Sequence, residues 1–274
     1  MILIYGDDSA DEKRERVSSV AVVIGTEASW EAVEGRWKDR NGDIPFHAKD
    51  CESDKRDYAN RSHKENKALY RDLVTMLAES KLGGFGVAVD LQAQRRIFPE
   101  SLDLAYYKSF IEILDRVGEF AKFHDQIAKF TFDISMENEY NAGLLYKMCR
   151  ENDEEYGEHF YHEIGFTSAR ESVRLQVADL VAFETMKALD HAVGPIKRRR
   201  QSWDVLRATE RFEGHAYSTD WFLDLRKHYS ELEKKVGFKQ SDYAEWLKRK
   251  NRQHSVSNVF HFMHWKGKQQ DGGE

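Results

Sequence analysis

Aspartates stand where apolar, strand-like runs give out. Asp7, with Asp8 beside it, follows Ile2 to Gly6; Asp90 closes the run that starts at Phe85; Asp133 closes Phe130-Thr131-Phe132. Ligands of open α/β sheets bind beyond the carboxyl ends of the strands, so these are positions where chemistry is placed. Asp179 lies in a different setting, inside Leu175-Gln176-Val177-Ala178-Asp179-Leu180-Val181-Ala182-Phe183. An ionised carboxylate in so apolar a helix needs a partner, a metal or a proton. Carboxylates that converge repel one another, and a divalent cation relieves the repulsion. Hard oxygen ligands with open water positions suit Mg²⁺ or Mn²⁺ and two-metal phosphoryl chemistry. Taken singly, each acid has a plainer explanation: a strand-terminal aspartate caps the next helix, and Asp179 could pair with Arg174 or Arg170. Taken together they predict a metal site drawn from Asp7, Asp8, Asp90, Asp133 and Asp179.

Other polar residues could serve such a centre. His47, expected in a loop or short strand, could orient an attacking water or a phosphate, and Lys49 could neutralise charge in a phosphoryl-transfer transition state. Gln176 lies three residues before Asp179 and could share its helical face as a substrate contact. Lys197-Arg198-Arg199-Arg200, just past Gly194-Pro195, is the most basic run and suits a phosphate backbone. Gly83-Gly84-Phe85-Gly86 lacks the spacing and the Lys-Ser/Thr of a phosphate loop. His261 and His264, with His254 upstream, have no third or fourth ligand at zinc spacing and are expected to pack with Phe260, Phe262 and Trp265. Cys51 and Cys149 form no metal or disulfide pattern.

The elements that must hold these residues can be read from periodicity. Val17 to Gly25 is β-branched and apolar almost throughout and predicts a central strand buried on both faces, paired with the first strand through the charged loop Ala10 to Arg16. Helices are expected over Trp30–Trp37, Ser62–Ser80, Leu102–Phe123, Glu139–Cys149 and Leu175–Leu189, alternating with strands near Phe85–Asp90, Phe130–Asp133 and Glu163–Ser168. A hairpin followed by strand–helix alternation implies an α/β fold: a mixed sheet, antiparallel at one side and parallel at the other, flanked by helices. Gly194-Pro195 interrupts this pattern. The expected division is a core over 1–194 and a basic, mainly helical extension over 195–274, with helices near Trp221–Lys235 and Ser241–Lys250.

Asp7-Asp8-Ser9, Phe46-His47-Ala48-Lys49, Phe130 to Asp133 and the block from Ile164 through Glu184 together resemble the domain of unknown function 3800 family. The most specific part is Leu175-Gln176-Val177-Ala178-Asp179-Leu180, with Glu184 following. The resemblance spans roughly residues 2–190 and implies a ribonuclease H-like fold. It implies Asp7 as the first-strand acid, Asp133 or Asp90 as the mid-sheet acid and Asp179 as the acid of the last helix. Members of that family usually read Asp-Glu-Ser-Gly at the first strand; here the second acid is Asp8, and Ala10 takes the place of the glycine.

Composition sets the outer bounds. The 274 residues include 41% apolar and 33% charged residues and only 3 prolines, which fits one sizeable core with a well-solvated surface and excludes low-complexity architecture. No apolar run approaches the roughly 20 residues of a membrane span, and no signal-peptide pattern opens the chain, so a cytoplasmic protein is expected. The net charge of −6 hides an asymmetry. Residues 1–194 carry 25 Lys+Arg against 37 Asp+Glu, whereas 195–268 carry 17 against 9. A basic C-terminal part predicts a polyanionic partner, and Trp203, Trp221, Trp246 and Trp265 are expected to dock it on the core with one basic face near the acids. The reading that follows is a Mg²⁺- or Mn²⁺-dependent nuclease or related phosphodiester-processing enzyme. Asp7, Asp133, Asp179 and His47 would be its catalytic residues, and nucleic acid its partner. The alternative is a non-catalytic module that binds nucleic acid or protein on a degenerate ribonuclease H-like scaffold.

Overall fold

The structure is a computed structural model that describes residues 1–98, 104–134, 139–153, 155–195 and 197–236. Strand β1 (Ile2–Ala10) and strand β2 (Val17–Gly25) form an antiparallel hairpin. In β2 the side chains alternate between two cores, Val20 and Val22 on one side of the sheet, Ala21 and Val23 on the other. The strand is therefore buried on both faces, as its composition predicts. β1 runs through Asp7 and Asp8 to Ala10, so these acids lie within the last part of the strand rather than beyond it.

Helix α1 (Glu27–Asn41) carries Trp30, Val33 and Trp37 inward and is capped by the Thr26 side chain. The short helix α2 (Ala48–Glu52) follows, begun by His47. Helix α3 (His63–Glu79) opens on a complete capping box between Ser62 and Glu65. Strand β3 (Gly83–Asp90) pairs antiparallel with β2, and helix α4 (Leu91–Ile97) starts at once behind it. Helix α5 (Leu104–Phe123) leads to strand β4 (Ala128–Asp133), which lies parallel to β1. Helix α6 (Glu139–Asn152) then leads to the short strand β5 (Gly165–Thr167), parallel to β4.

Helix α7 (Val173–Val193) is buried along most of its length and packs across β1, β2 and β3. The Ser19 hydroxyl donates to Ala182 O at 2.7 Å. Gly86 of β3 lies directly under Thr185, where any side chain would collide with it.

Beyond α7 the structure departs from the expected division at residue 194. Helix α8 (Gln201–Arg207) packs on α3 and α7, and strand β6 (Phe212–Tyr217) adds to the sheet parallel to β3 before helix α9 (Thr219–Val236). The six strands lie in the order β5-β4-β1-β2-β3-β6. The antiparallel pairs are thus in the middle, with parallel strands at both sides. One core lies between the sheet and α1, α3, α7 and α8; the other lies beneath α4, α5, α6 and α9. Trp203 is buried against Gly214, and Trp221 packs on Tyr217. The helix expected over Ser241–Lys250, together with Trp246, Trp265 and the C-terminal histidines, lies outside the described residues. Among the described residues no helix is long and apolar enough to cross a membrane.

Candidate active site

The register of the sheet positions two of the acids. Gly6 of β1 pairs with Phe132 of β4 in parallel, so Asp7 and Asp133 stand one step further along, level with each other on adjacent strands. Alternation places Asp7 on the face of Leu3 and Tyr5, which is the face covered by α7. Asp179 descends from α7 toward the same place. Asp7 and Asp179 are buried, at 8% and 5% exposure, and Asp133 is half-buried.

The three carboxyl groups influence one another. Burial holds the Asp7 carboxyl well above the usual carboxylate range, and the charges of Asp179, Asp8 and Asp133 raise it further, against one N–H from Asp8 at 2.7 Å. Burial likewise raises Asp179 to about 6, opposed by the nearby His47 ring and by the Ala48 N–H at 2.6 Å. Asp133 is raised by burial, while N–H groups of Ala169 and Ile134 and the charge of His47 pull it down. The Ala169 N–H donates to Asp133 at 2.6 Å, and the Gln176 amide donates to Ala169 O at 3.0 Å. Gln176, which the sequence suggested as a substrate contact, therefore braces the loop that holds Asp133.

His47 does not lie in a loop or strand; it is the first turn's cap on α2. Its side chain is 48% exposed, with Nε2 3.9 Å from Asp179 Oδ1 and Nδ1 3.1 Å from Asp50 Oδ2. An open groove of about 400 Å³ runs beside this ring. Asp8, Asp50 and Asp179 line it together with His47, Lys49 and Lys55. It shares Lys49 and Lys55 with a second groove of about 490 Å³ that continues along α2 toward Lys187. Asp8 projects from the opposite side of β1 to Asp7, and its charge is felt by the hydroxyl of the partly buried Tyr106.

No protein-family model, curated protein or solved structure matches this chain. The chemistry of the site is therefore read from its own residues.

Asp90 does not join the acids. Strand β2 stands between β1 and β3, and the Asp90 carboxylate accepts the Ala93 N–H at 2.9 Å as the cap of α4. The basic run also departs from its expected part. None of its four residues lines the grooves; the cations that do include Lys49 and Lys55. Arg200 is drawn inward, donating in a fork to the fully buried Glu184 at 2.8 and 2.6 Å and pairing with Glu52. Arg199 pairs with Asp204, Arg198 donates to His191 at 3.0 Å, and Lys197 is exposed. Arg174, considered above as a partner for Asp179, is engaged by Glu27, Glu34 and Tyr5 instead. Asp179 is thus without that guanidinium.

Asp50 went unread in the sequence. Its signal was the spacing His47-x-x-Asp50, which at the start of a helix brings a side chain back onto the cap.

All the converging donors are carboxylate oxygens, the type that a hard divalent cation prefers, and such an ion would offset the repulsion that raises Asp7 and Asp179. Among the described residues, however, no three His, Cys, Asp or Glu side chains are gathered into a ready-made ligand set. The donors fit the ion in kind, and their side chains would have to close on it.

Proposed function

We propose that the chain is a Mg²⁺- or Mn²⁺-dependent nuclease or related phosphodiester-processing enzyme built on a ribonuclease H-like sheet. One observation carries the reading: Asp7, Asp133 and Asp179, which are far apart in sequence, come close enough for their charges to oppose one another, Asp7 and Asp179 buried and Asp133 half-buried. A protein that gains nothing from such a cluster would place a lysine or arginine against it, or an apolar residue in its stead. The sheet order supports the fold. β4 is the first strand after the antiparallel unit β1-β2-β3, and it lies beside β1, as in a ribonuclease H-like sheet.

Asp7, Asp133 and Asp179 would hold the metal, with Asp8 at the edge of the groove. When bound, the ion supplies a water of lowered pKa and positive charge for the transferring phosphoryl group. The chain's own residues do the rest. β1 and β4 fix Asp7 and Asp133 on a rigid sheet, and the Ala169 and Ala48 N–H groups orient Asp133 and Asp179. His47 stands at the groove wall, where its Nε2 can meet a water or a phosphate oxygen. Lys49 and Lys55 offset the acidic centre for a polyanion entering the groove.

The test is cleavage of labelled DNA and RNA oligonucleotides, single- and double-stranded, with Mg²⁺ or Mn²⁺. We expect metal-dependent cleavage that falls at least ~100-fold in Asp7→Asn and Asp179→Asn, on the scale at which a charge-stabilising catalytic group acts. Asp90→Asn should cleave normally. No cleavage of any oligonucleotide, together with no Mn²⁺ binding by calorimetry at millimolar concentrations, would replace this reading with the non-catalytic binding module.

A further inference from the structure

We propose that the connection between α2 and α3 is the surface that receives the sugar–phosphate backbone of a nucleic acid, with Lys55 and Arg56 at the groove and Arg61 and Lys64 further along, at the start of α3. That the polyanion is a nucleic acid rests on the phosphodiester-processing reading; where it binds is read from the connection itself.

Residues 55–67 are a basic exception within an acidic part of the chain. They carry 5 Lys+Arg against 2 Asp+Glu, whereas 1–194 as a whole carries 25 against 37. Lys55 and Arg56 line the groove that also holds His47 and Asp179, and Lys55 lines the second groove as well. Their own ion pairs are loose and mostly exposed: Lys55 Nζ lies 3.8 Å from Glu12, and Arg56 lies 3.5 Å from Asp50. Surface pairs of this kind contribute little, so a phosphate can take the place of the carboxylate. Arg61 lies over the Tyr58 ring and Lys64 is exposed; among the described residues neither has a carboxylate within ion-pair distance. The nearby acids are engaged locally. Asp54 accepts from the Asn66 amide at 2.8 Å and meets the His63 ring at 2.7 Å, and Glu65 accepts the Ser62 N–H and hydroxyl at 2.8 and 2.7 Å. Asp57 is exposed.

The connection is also held in a shape that ordinary residues avoid. Asp54 and Arg56, on either side of Lys55, have φ of 55° and 48°. Aspartate tolerates this left-handed region, but an arginine there is uncommon, and such a backbone persists only where its surroundings over-determine it. Here the Lys55 N–H donates to Asp50 O at 3.0 Å, the Tyr58 N–H to Lys55 O at 3.0 Å and the Asn66 amide to Tyr58 O at 3.0 Å, while the buried Tyr58 side chain anchors the segment in the core. Cations on a segment already ordered lose less freedom on meeting a phosphate than cations on a loose loop. The run 197–200 offers the opposite case. Arg198, Arg199 and Arg200 are bonded to His191, Asp204 and Glu184, and none of its four residues lines either groove.

The test is fluorescence anisotropy with the full chain in EDTA, so that binding is read without cleavage. The probes are fluorescein-labelled DNA and RNA of about 20 nucleotides, single- and double-stranded, from about 50 to 200 mM NaCl. The combined variant Lys55→Gln, Arg56→Gln, Arg61→Gln and Lys64→Gln should bind at least ~10-fold more weakly at about 100 mM salt, with the slope of log K against log[salt] reduced by roughly 2–3. Lys197→Gln with Arg199→Gln should stay within about twofold of the parent. Circular dichroism and Tm show whether the combined variant folds. If it does not, Lys55→Gln and Lys64→Gln, each at an exposed position, should separately lower the slope by ~0.7. Unchanged affinity and slope in the folded variants would overturn the proposal, as would an equal loss in the Lys197→Gln, Arg199→Gln control or no binding by the parent at the lowest salt. Cleavage assayed in parallel with Mg²⁺ or Mn²⁺ separates the two readings. A parent that binds through these residues but never cleaves keeps the surface and refutes the nuclease. Binding and cleavage that survive in the combined variant keep the nuclease and refute the surface.

Discussion

Asp179 shows how a single side chain can be both a defect and a tool. Its surroundings were legible in the sequence, because a carboxylate between Ala178 and Leu180 in an apolar helix needs a partner, a metal or a proton. What it would meet was not legible: Asp7 is 172 positions away, and only the packing of α7 across β1 brings the two together. The pH dependence follows from the direction of its shift. An unfolded chain loses the Asp179 proton near pH 3.8, whereas the folded chain keeps it to about 6. As pH rises across that window the unfolded state is favoured, and above it the penalty is constant. Asp179→Asn keeps an acceptor for the Ala48 N–H and removes the charge. The substituted protein should therefore match the parent below about pH 4 and be more stable by roughly 1–3 kcal/mol above pH 6 without metal. Thermal melts across this range check the prediction; equal stability at pH 7 would mean that the cluster is not under electrostatic load.

Elements of strong periodicity, such as α3, α5 and α7, could be read directly, and so could β2. The short helices α2, α4 and α8 and the strand β6 escaped, and for α2 and β6 the physical reasons are plain. Five residues cannot display a helical period, so α2 has no pattern of its own and is fixed by its neighbours. β6 lies at the edge of the sheet and exposes Glu213, Gly214 and Ala216 to varying degree, which reads as a polar connection. α2 is held partly by the Arg200 fork, since Glu52 on its last turn shares that guanidinium with Glu184 of α7, while the Tyr70 hydroxyl of α3 donates to Glu184. Arg200→Ala would leave Glu184, which is fully buried, without its counter-charge. The expected loss is about 3–5 kcal/mol, because an unpaired buried charge costs more than the pair contributes. Arg200→Ala with Glu184→Gln should recover most of it. Chemical denaturation of the three proteins decides the matter; a loss under about 1 kcal/mol would make the fork an ordinary surface bridge.

For the molecule as a unit, the sheet overrides the division suggested by Gly194-Pro195. A chain ended at residue 194 would expose the edge of β3, from Gly84 to Val89, which is paired with β6 in the intact protein. It would also uncover the core under Trp203, Leu206 and Phe212. Such a fragment should be insoluble or molten, lacking a cooperative melt, while the full chain melts cooperatively. A folded, monomeric 1–194 fragment would restore the boundary read from the sequence. The packing of α7 has a further consequence, which concerns time. β1 is synthesised well before its neighbours: the helix that covers its Asp7-bearing face begins at Val173 and the strand that flanks Asp7 begins at Ala128. During synthesis the β1–β2 hairpin can close early, but Asp7 gains its acidic neighbours from β4 and α7 only after those elements have emerged. Contacts of such long sequence separation form slowly and late. The acid cluster is thus incomplete until α7 has emerged, and in refolding it should be completed last, when α7 settles on the sheet.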